Sequence, residues 1–272
     1  MTRIRRGPGT NADAGSPTLV TALARGLQLL RSFGQASEFL SNAELSARTD
    51  IPRPTVSRLT ATLTELGYLV YLPSIERYRL GPQVLDLGYR YLASEGVTRL
   101  AQPLMQTLAD ATDCFVAIGV VDGLDMTYVQ TCQGQGPLIL RAGVGTRIPM
   151  SHTAMGGAYL AGVDASTRGR HLQALQAAAP SEWSATADRM TRLAKEWSAN
   201  GFCIAVGEWS SDISAVAVPL YIAPEQRWVV FNCSGSSLRL TRDVLMDNLG
   251  PRLRELVDQV GALLGQPAIS DC

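Results

Sequence analysis

The stretch from residue 41 to 66, SNAELSARTDIPRPTVSRLTATLTEL, constrains the fold most, because it encodes two short helices separated by a very short turn. Ser41 and Glu44 have the spacing of a capping box, in which the hydroxyl accepts from a first-turn N–H and the carboxylate accepts from the N–H of the cap residue. The run Asp50-Ile51-Pro52 ends this first helix, since proline fits only the entrance of a new one. The pattern predicts a helix-turn-helix whose second helix begins near Arg53.

The second helix has one apolar and one polar face. Val56, Leu59, Leu63 and Leu66 follow a single stripe of a 3.6-residue period, which we expect to pack inward. The opposite face is small, polar and cationic in its first half, as required for entry into the major groove, although a solvated amphipathic helix has the same pattern. The candidate DNA-contact residues on and around this helix are Ser41, Arg53, Pro54, Thr55, Ser57 and Arg58.

A β-hairpin is predicted directly after this helix. Gly67 is a natural helix stop, and two apolar, aromatic-rich runs flank residues 73–77. Such a hairpin beside a recognition helix is a wing. Arg77 is a further DNA-contact candidate there, since arginines on a wing reach backbone phosphates. Arg79 has the same opportunity, or else pairs with Glu76.

The N-terminal third of the chain is basic. Leu23, Leu27 and Leu30 form a helical stripe that predicts the first helix of a three-helix core, so that a winged helix-turn-helix spans residues 18–81. The preceding residues 1–17 are predicted to be a flexible arm. Residues 1–90 carry a net charge of +4, whereas residues 91–272 carry −4. A positive domain joined to an acidic one favours specific binding of DNA over nonspecific coating.

Several other classes of protein are disfavoured. No apolar run approaches the ~18 residues of a membrane span, and the N-terminus lacks the apolar core of a secretion signal, so a cytoplasmic location is expected. The two histidines have no cysteine at ligand spacing, and no CxxC pair is present, so neither a metal nor another cofactor is predicted. We expect the cysteines within apolar runs to be reduced and buried.

The rest of the chain predicts an α+β domain built on an antiparallel sheet. Residues 83–92 and 97–112 have helical patterns, and strands and helices then alternate in meanders. The predicted strands are residues 115–121, 126–130, 138–142, 202–206, 213–222 and 228–234, and the predicted helices lie near residues 153–161, 167–178, 186–198 and 241–264.

Three early segments, LARGLQLLRSF, NAELSARTDIPRPTVSRLTATLTELGYL and YRLGPQVLDLG, resemble the DNA-binding domain of the IclR family of bacterial transcriptional regulators. Three later segments, GTRIPMSHTAMGGAYLA, GFCIAVGEWSSDISAVAVPLY and FNCSGSSLRLT, resemble that family's effector-binding domain in the same order. The resemblance implies a linker helix at residues 82–96 and a GAF-like effector-binding domain at residues 97–272. It also implies a homodimer or homotetramer that binds a double-stranded operator and a small-molecule effector.

The same resemblance implies where the effector binds. Ala154 and Met155 would lie at a helix N-terminus, where free N–H groups and the helix dipole favour a carboxylate. The nearest cations in sequence are Arg141 and Arg147, which either pair with an anionic ligand or lie on the surface. We therefore expect a small organic acid as effector, aromatic acids included. The matching positions on the facing strands are Ala205, Ile213, Ala215, Asn232 and Ser234.

The sequence departs from the family pattern at three positions. Gly157 stands where the family often has lysine, Asp212 where glycine is usual, and Ala215 where a polar residue or cysteine is usual. The shape and polarity of the pocket are therefore expected to differ from those of better-known relatives.

Two other functions were weighed. Ser151-His152 and His171 suggest a nucleophile and base, and Glu208 with Asp212 suggests a carboxylate pair, but neither set has a third member. An enzyme is therefore not predicted. A DNA-architectural protein without a ligand is the remaining alternative, although it would not need a second domain as large as residues 97–272.

Overall fold

The structure, a computed structural model, describes residues 19–34, 39–135 and 142–265. The chain divides into two compact units, with the boundary between Ser94 and Glu95. The predicted arm at residues 1–17 and nearly all of the predicted strand at 138–142 lie outside the described residues. Within the described ranges, no helix is long and apolar enough to cross a membrane.

The N-terminal unit is a winged helix-turn-helix followed by one further helix. Its core is formed by apolar side chains from the helices and from the segment before the second helix, among them Leu29, Leu40, Leu45 and Val56. The elements are α1 (Thr21–Arg31), α2 (Asn42–Thr49), α3 (Arg53–Glu65), β1 (Leu69–Leu72), β2 (Arg77–Leu80) and α4 (Gln83–Ser94).

Local hydrogen bonds fix the start of α2 and the turn to α3. Ser41 N donates to the Glu44 carboxylate over 2.8 Å, and Glu44 N donates to the Ser41 hydroxyl over 3.3 Å, which confirms the capping box. Asp50 ends α2 in the left-handed conformation with φ 55°, and the Ser46 hydroxyl donates to the Ile51 carbonyl over 2.6 Å. The turn between the two helices is therefore held from both sides.

Two predicted apolar stripes were partly wrong. Leu23 and Leu27 of α1 are 63% and 50% exposed, whereas Gly26 and Leu29 face the core. Gly26 faces α3, where an added Cβ would be in ordinary van der Waals contact with Leu59 Cδ2 at 4.0 Å. Leu66 is 58% exposed, because α3 already ends at Glu65.

The C-terminal unit contains one sheet and six helices among the described residues. A π-helical segment, Leu245–Leu249, interrupts the helical stretch predicted near residues 241–264. The elements are α5 (Gly96–Thr112), β3 (Phe115–Asp122), β4 (Asp125–Gln133), β5 (Arg147–Pro149), α6 (Ala154–Gly162), α7 (Ala165–Ala178), α8 (Trp183–Asn200), β6 (Cys203–Val206), β7 (Ile213–Ile222), β8 (Arg227–Ser236), the single turn α9 (Arg242–Val244) and α10 (Gly250–Leu263).

The sheet is antiparallel with the order β5-β4-β3-β8-β7-β6, which confirms the predicted α+β class. Helices α6 and α8 pack on one side, where α6 lies against β7 and β8, and α5 and α10 pack on the other. Because both faces are covered, the central strands are buried along most of their length and have nearly continuous apolar sequences.

Helix α6 approaches its neighbours at distances that only glycine permits. A Cβ on Gly156 would lie 2.0 Å from the carbonyl oxygen of Met150, and a Cβ on Gly157 would lie 2.2 Å from Leu193 Cδ1 on α8. Gly119, at the register shift between β3 and β4, leaves room for Met155, whose Sδ would be 2.3 Å from an added Cβ. The lysine common in the family at position 157 would therefore not fit against α8 in this chain.

This packing predicts opposite effects for two Gly→Ala substitutions. Gly156→Ala should lower the free energy of unfolding of the C-terminal unit by about 1–3 kcal/mol, because the methyl group overlaps backbone that must then move. Gly169→Ala, at an open position of α7 with nothing within 4 Å of an added Cβ, should raise it by about 0.5–1 kcal/mol. Urea unfolding of both variants measures the difference, and equal effects of the two would contradict the packing argument.

Candidate functional site

The outer face of α3 presents two unpaired guanidinium groups. Arg53, Pro54, Ser57 and Arg58 are exposed, and Thr55 is half-buried. The side chains of Arg53 and Arg58 form no ion pair or hydrogen bond with any other described residue. This part of the predicted DNA-contact set is therefore together on one accessible surface.

A hydrogen-bonded asparagine holds α2 against the start of α3. Asn42 Nδ2 donates to the Ser57 hydroxyl over 3.3 Å, and Asn42 Oδ1 accepts from the fully buried Thr60 hydroxyl over 3.1 Å. Helix α2 thereby fixes the orientation of α3.

Besides Ser57, two members of the predicted set have structural partners. The Ser41 hydroxyl donates to the Glu44 carboxylate over 2.7 Å, in addition to its capping bond. Arg77 lies 3.2 Å from the Glu44 carboxylate and donates to the Phe39 carbonyl over 3.1 Å, so it links the wing to α2. The hydrogen bond from Ser41 N lowers the pKa of Glu44, and the charge of Arg77 lowers it further. Arg79 donates to the Leu80 carbonyl rather than pairing with Glu76.

The C-terminal unit contains a small cavity between the sheet and the N-terminus of α6, with a volume of about 30 Å³. It includes six of the residues predicted to bind the effector. The lining residues are Tyr128, Ile148, His152, Thr153, Ala154, Ala205, Glu208, Trp209, Ile213, Ala215, Asn232 and Ser234. We refer to this cavity as the effector pocket.

Three other predicted effector-binding residues do not line the effector pocket. Met155 is fully buried and packs near Gly119. Arg147 pairs with Asp125 over 2.8 Å and with Asp122 over 3.3 Å, because it lies on β5 next to the β3–β4 turn. The structure therefore places Arg147 on the surface, which is the second of its two predicted alternatives. Arg141 lies outside the described residues.

Three residues of the effector pocket have polar side chains without a partner in the protein. Tyr128, Asn232 and Ser234 are each less than 5% exposed, and their side chains form no hydrogen bond with other described residues. Burial also raises the pKa of Tyr128, which keeps its phenol neutral. Their polar atoms remain accessible from the effector pocket, so these three side chains are available for a ligand or for water.

The N-terminus of α6 adds backbone donors to the same wall. The Thr153 hydroxyl accepts from Gly156 N over 3.1 Å and caps the helix. The N–H groups of Ala154 and Met155 have no acceptor within the helix, as is general for a first turn. Together with the helix dipole, they favour an anionic or carbonyl oxygen at this end of the effector pocket.

A carboxylate on the opposite side is held by two arginines. Glu208, in the loop between β6 and β7, accepts from Arg189 Nε over 2.6 Å and also from Arg192. Arg189 also donates to the Ser151 carbonyl over 3.0 Å, next to the start of α6. Glu208 belongs to a segment that resembles the family's effector-binding domain, but no pattern in the sequence pointed to the two arginines, because they come from α8.

Tyr128 and Trp209 also line the effector pocket, although neither was predicted from the sequence. Tyr128 is two residues after the buried Met126 on β4, so strand alternation would have placed both on the inner face. Trp209 lies in an irregular loop and has no periodic signal.

Ser151 and His152 contact each other over 2.6 Å, but the nearest carboxylate, Glu182, lies 3.6 Å from the ring and is exposed.

Four cysteines lie in the described part of the chain. Cys114, Cys132, Cys203 and Cys233 are buried free thiols, as predicted for cysteines in apolar runs. No group of three potential ligands in the described part of the chain is placed to hold a metal ion.

A winged helix with a cationic recognition face, joined to a domain with a polar-lined internal pocket, defines a ligand-responsive DNA-binding protein. Two family models match the chain: the IclR helix-turn-helix domain over residues 22–73 and the bacterial transcriptional regulator IclR C-terminal domain over residues 89–262. The chain belongs to the IclR family of transcriptional regulators. The expected GAF-like architecture and the absence of an enzymatic function are confirmed by this membership.

Individual relatives are similar to this protein over nearly the whole length of the chain. The Pca regulon regulatory protein of Pseudomonas putida is 31% identical over 244 residues, 89% of this chain and 83% of that protein. An IclR-family regulator from Brucella abortus has a crystal structure with 36% identity and a TM-score of 0.86, covering 94% of this chain and 96% of its own. An IclR homologue from Microbacterium hydrocarbonoxydans, complexed with 4-hydroxybenzoate, shares the fold at 16% identity with a TM-score of 0.71, covering 90% and 99%.

The unpartnered groups predict an unusual response to Ser→Ala substitution. Ser234→Ala should leave the free energy of unfolding of the unliganded protein unchanged or slightly higher, because no hydrogen bond is lost and a buried polar group is removed. Ser214→Ala is the matched control on the neighbouring strand β7, where the buried hydroxyl donates to Ser237 over 3.0 Å. That variant should lose about 1 kcal/mol. Thermal unfolding of both proteins tests this, and a larger loss in Ser234→Ala would show that its hydroxyl has a partner.

Proposed function

We propose that this regulator controls a catabolic or metabolic operon and that its effector is a small aromatic carboxylic acid. The unpartnered Tyr128, Asn232 and Ser234 beside the N-terminus of α6 carry this proposal. Phenol, amide and hydroxyl groups offer both donors and acceptors, and the helix N-terminus favours a carboxylate. The apolar remainder of the wall suits a ring, and a structural relative is complexed with 4-hydroxybenzoate.

The size of the effector pocket supports a conformational response. A volume of about 30 Å³ accommodates about two water molecules, whereas a cavity that binds benzene has about 150 Å³. The domain must therefore expand to admit an aromatic ring. A ligand that binds only the expanded state shifts the population toward it, and any difference in DNA affinity between the two states then becomes regulation.

For DNA recognition we propose that Arg58 and Ser57 on α3 contact bases, and that Arg53, Pro54 and Thr55 lie at the groove entrance. The free guanidinium of Arg58 supports a bidentate contact with guanine. Ser41 and Arg77 already have partners in the protein, so we assign them to the support of α2 and the wing, with phosphate contact as a secondary role for Arg77.

We propose that two copies of the chain bind a pseudo-palindromic operator, alone or within a tetramer. Exposed apolar side chains on two helices of the N-terminal unit support this assembly: Leu23, Leu27, Leu85, Leu87 and Tyr89. Such a density of exposed leucine on a small unit is typical of an interface. A dimer would present two α3 helices to half-sites about one helical turn apart.

Because the target is chromosomal DNA, we propose that the protein acts in the cytoplasm.

The effector proposal is tested by titrating DNA binding in the presence of aromatic acids. An operator fragment selected by the protein from random DNA should change its dissociation constant by about 5–150-fold with at least one member of a panel that includes 4-hydroxybenzoate. The same compound should raise the melting temperature. Unchanged melting and DNA affinity across the panel would contradict the proposal and favour the architectural alternative.

The role of Arg58 is tested by two substitutions. Arg58→Ala should weaken operator binding by about 1–3 kcal/mol and leave effector binding intact. Arg58→Lys keeps the charge but loses the planar fork, so it should weaken operator binding nearly as much while retaining nonspecific binding. If lysine restores operator affinity fully, Arg58 contacts phosphate and does not read a base.

A further inference from the structure

The carboxylate of Glu208 occupies a position that suits an anionic ligand. It belongs to the wall of the effector pocket and is only 20% exposed. Both of its oxygens are engaged, one by Arg189 and one by Arg192. Charge-assisted pairs of this kind are among the stronger hydrogen bonds in proteins, particularly when water is partly excluded.

Arg189 does not itself line the effector pocket, but it joins two of the segments that do. Its Nε binds Glu208 of the β6–β7 loop, and its Nη1 binds the carbonyl of Ser151, three residues before the start of α6. The guanidinium therefore contacts the segment that leads into the first turn of α6, which carries the free N–H groups of Ala154 and Met155. One carboxylate, which has two oxygens and about four acceptor sites, can accept from both sets of donors.

The β6–β7 loop, residues 207–212, forms an irregular wall of the effector pocket. The other walls are strands of the sheet and the buried start of α6. The loop contains Trp209, which lines the pocket while remaining 42% exposed. Its side-chain attachment to the helical layer is the pair of bonds from Glu208 to α8.

We propose that Glu208 is an internal substitute for the carboxylate of the effector. The incoming acid takes the place of Glu208 on Arg189, Glu208 withdraws with the loop, and the effector pocket enlarges to receive the ring. Arg189 remains paired throughout, so the exchange avoids an isolated buried charge. This inference rests on the proposed acidic effector, and it makes Arg189 the residue that selects an acid over a neutral analogue.

The exchange predicts opposite effects for the two partners. Glu208→Gln removes the internal competitor and leaves an excess of positive charge, so 4-hydroxybenzoate should bind about tenfold more tightly. Arg189→Gln removes the acceptor of the carboxylate, so the same acid should bind at least about tenfold more weakly. The neutral 4-hydroxybenzamide should bind both variants within about twofold of the original protein.

Calorimetric titration of both compounds into the full-length protein measures these changes. Glu225→Gln is the matched control, because Glu225 also pairs with an arginine side chain, Arg227, but does not line the effector pocket. It should bind like the original protein. Melting curves verify folding, and if Arg189→Gln does not fold, the tighter binding of acid by Glu208→Gln with unchanged amide binding still decides the question.

The contradicting outcomes are distinct. Equal changes for acid and amide in the two variants would mean that the ion pair only holds the loop in place. That result would overturn the exchange but would not contradict an acidic effector. Weaker binding of acid by Glu208→Gln would also overturn it. If the original protein and all variants bind none of the aromatic acids, the proposed effector class and the exchange fall together.

Discussion

The close approach of α6 to the sheet and to α8 is the constraint on which the site depends. Gly156 and Gly157 remove two side chains where the Met150 carbonyl and Leu193 come within about 2 Å of where a Cβ would be. The first turn of α6 is thereby held against the turn before it and against α8, while α6 also contacts β7 and β8. Ala154 of that turn lines the same narrow cavity as Asn232 and Ser234. A longer side chain at either glycine would move the first turn of α6 from this position.

A second constraint is the edge strand β6. Its Ile204 N–H donates to the buried Glu196 carboxylate over 2.9 Å, and its carbonyl accepts from Arg192 over 3.1 Å, so two side chains of α8 replace the missing strand. An exposed strand edge invites pairing with another chain, and this arrangement satisfies it internally. Arg242 also binds Glu196, and Arg192 also binds Glu208. The strand edge, α9 and the pocket wall therefore share one network of charges.

The features that depend on local chemistry could be predicted from the sequence. The capping box at Ser41, the turn at Asp50 and the exposed position of Arg58 follow from the nature and spacing of neighbouring residues, and the central strands follow from continuous apolar runs. Features that depend on packing between distant parts of the chain could not be predicted in this way. Leu23 and Leu27 share a helical period with Leu30, but Gly26 and Leu29 are the residues of α1 that are buried. Arg189 and Glu208 are 19 residues apart, on α8 and an irregular loop, so no local pattern could bring them to one pocket.

The energetics of the effector pocket explain why this domain is suited to a switch. Without a ligand, the side chains of Tyr128, Asn232 and Ser234 form no hydrogen bond with other described residues, and their polar atoms remain accessible from the effector pocket. A ligand that binds these groups in one state of the domain and not in the other supplies free energy that drives a change of state. Coupling between binding sites is reciprocal, so an effector that changes operator affinity by a given factor has its own affinity changed by the same factor when DNA is bound. Polar side chains without partners in the protein are therefore useful in this pocket, because a small molecule that binds them can alter the occupancy of DNA.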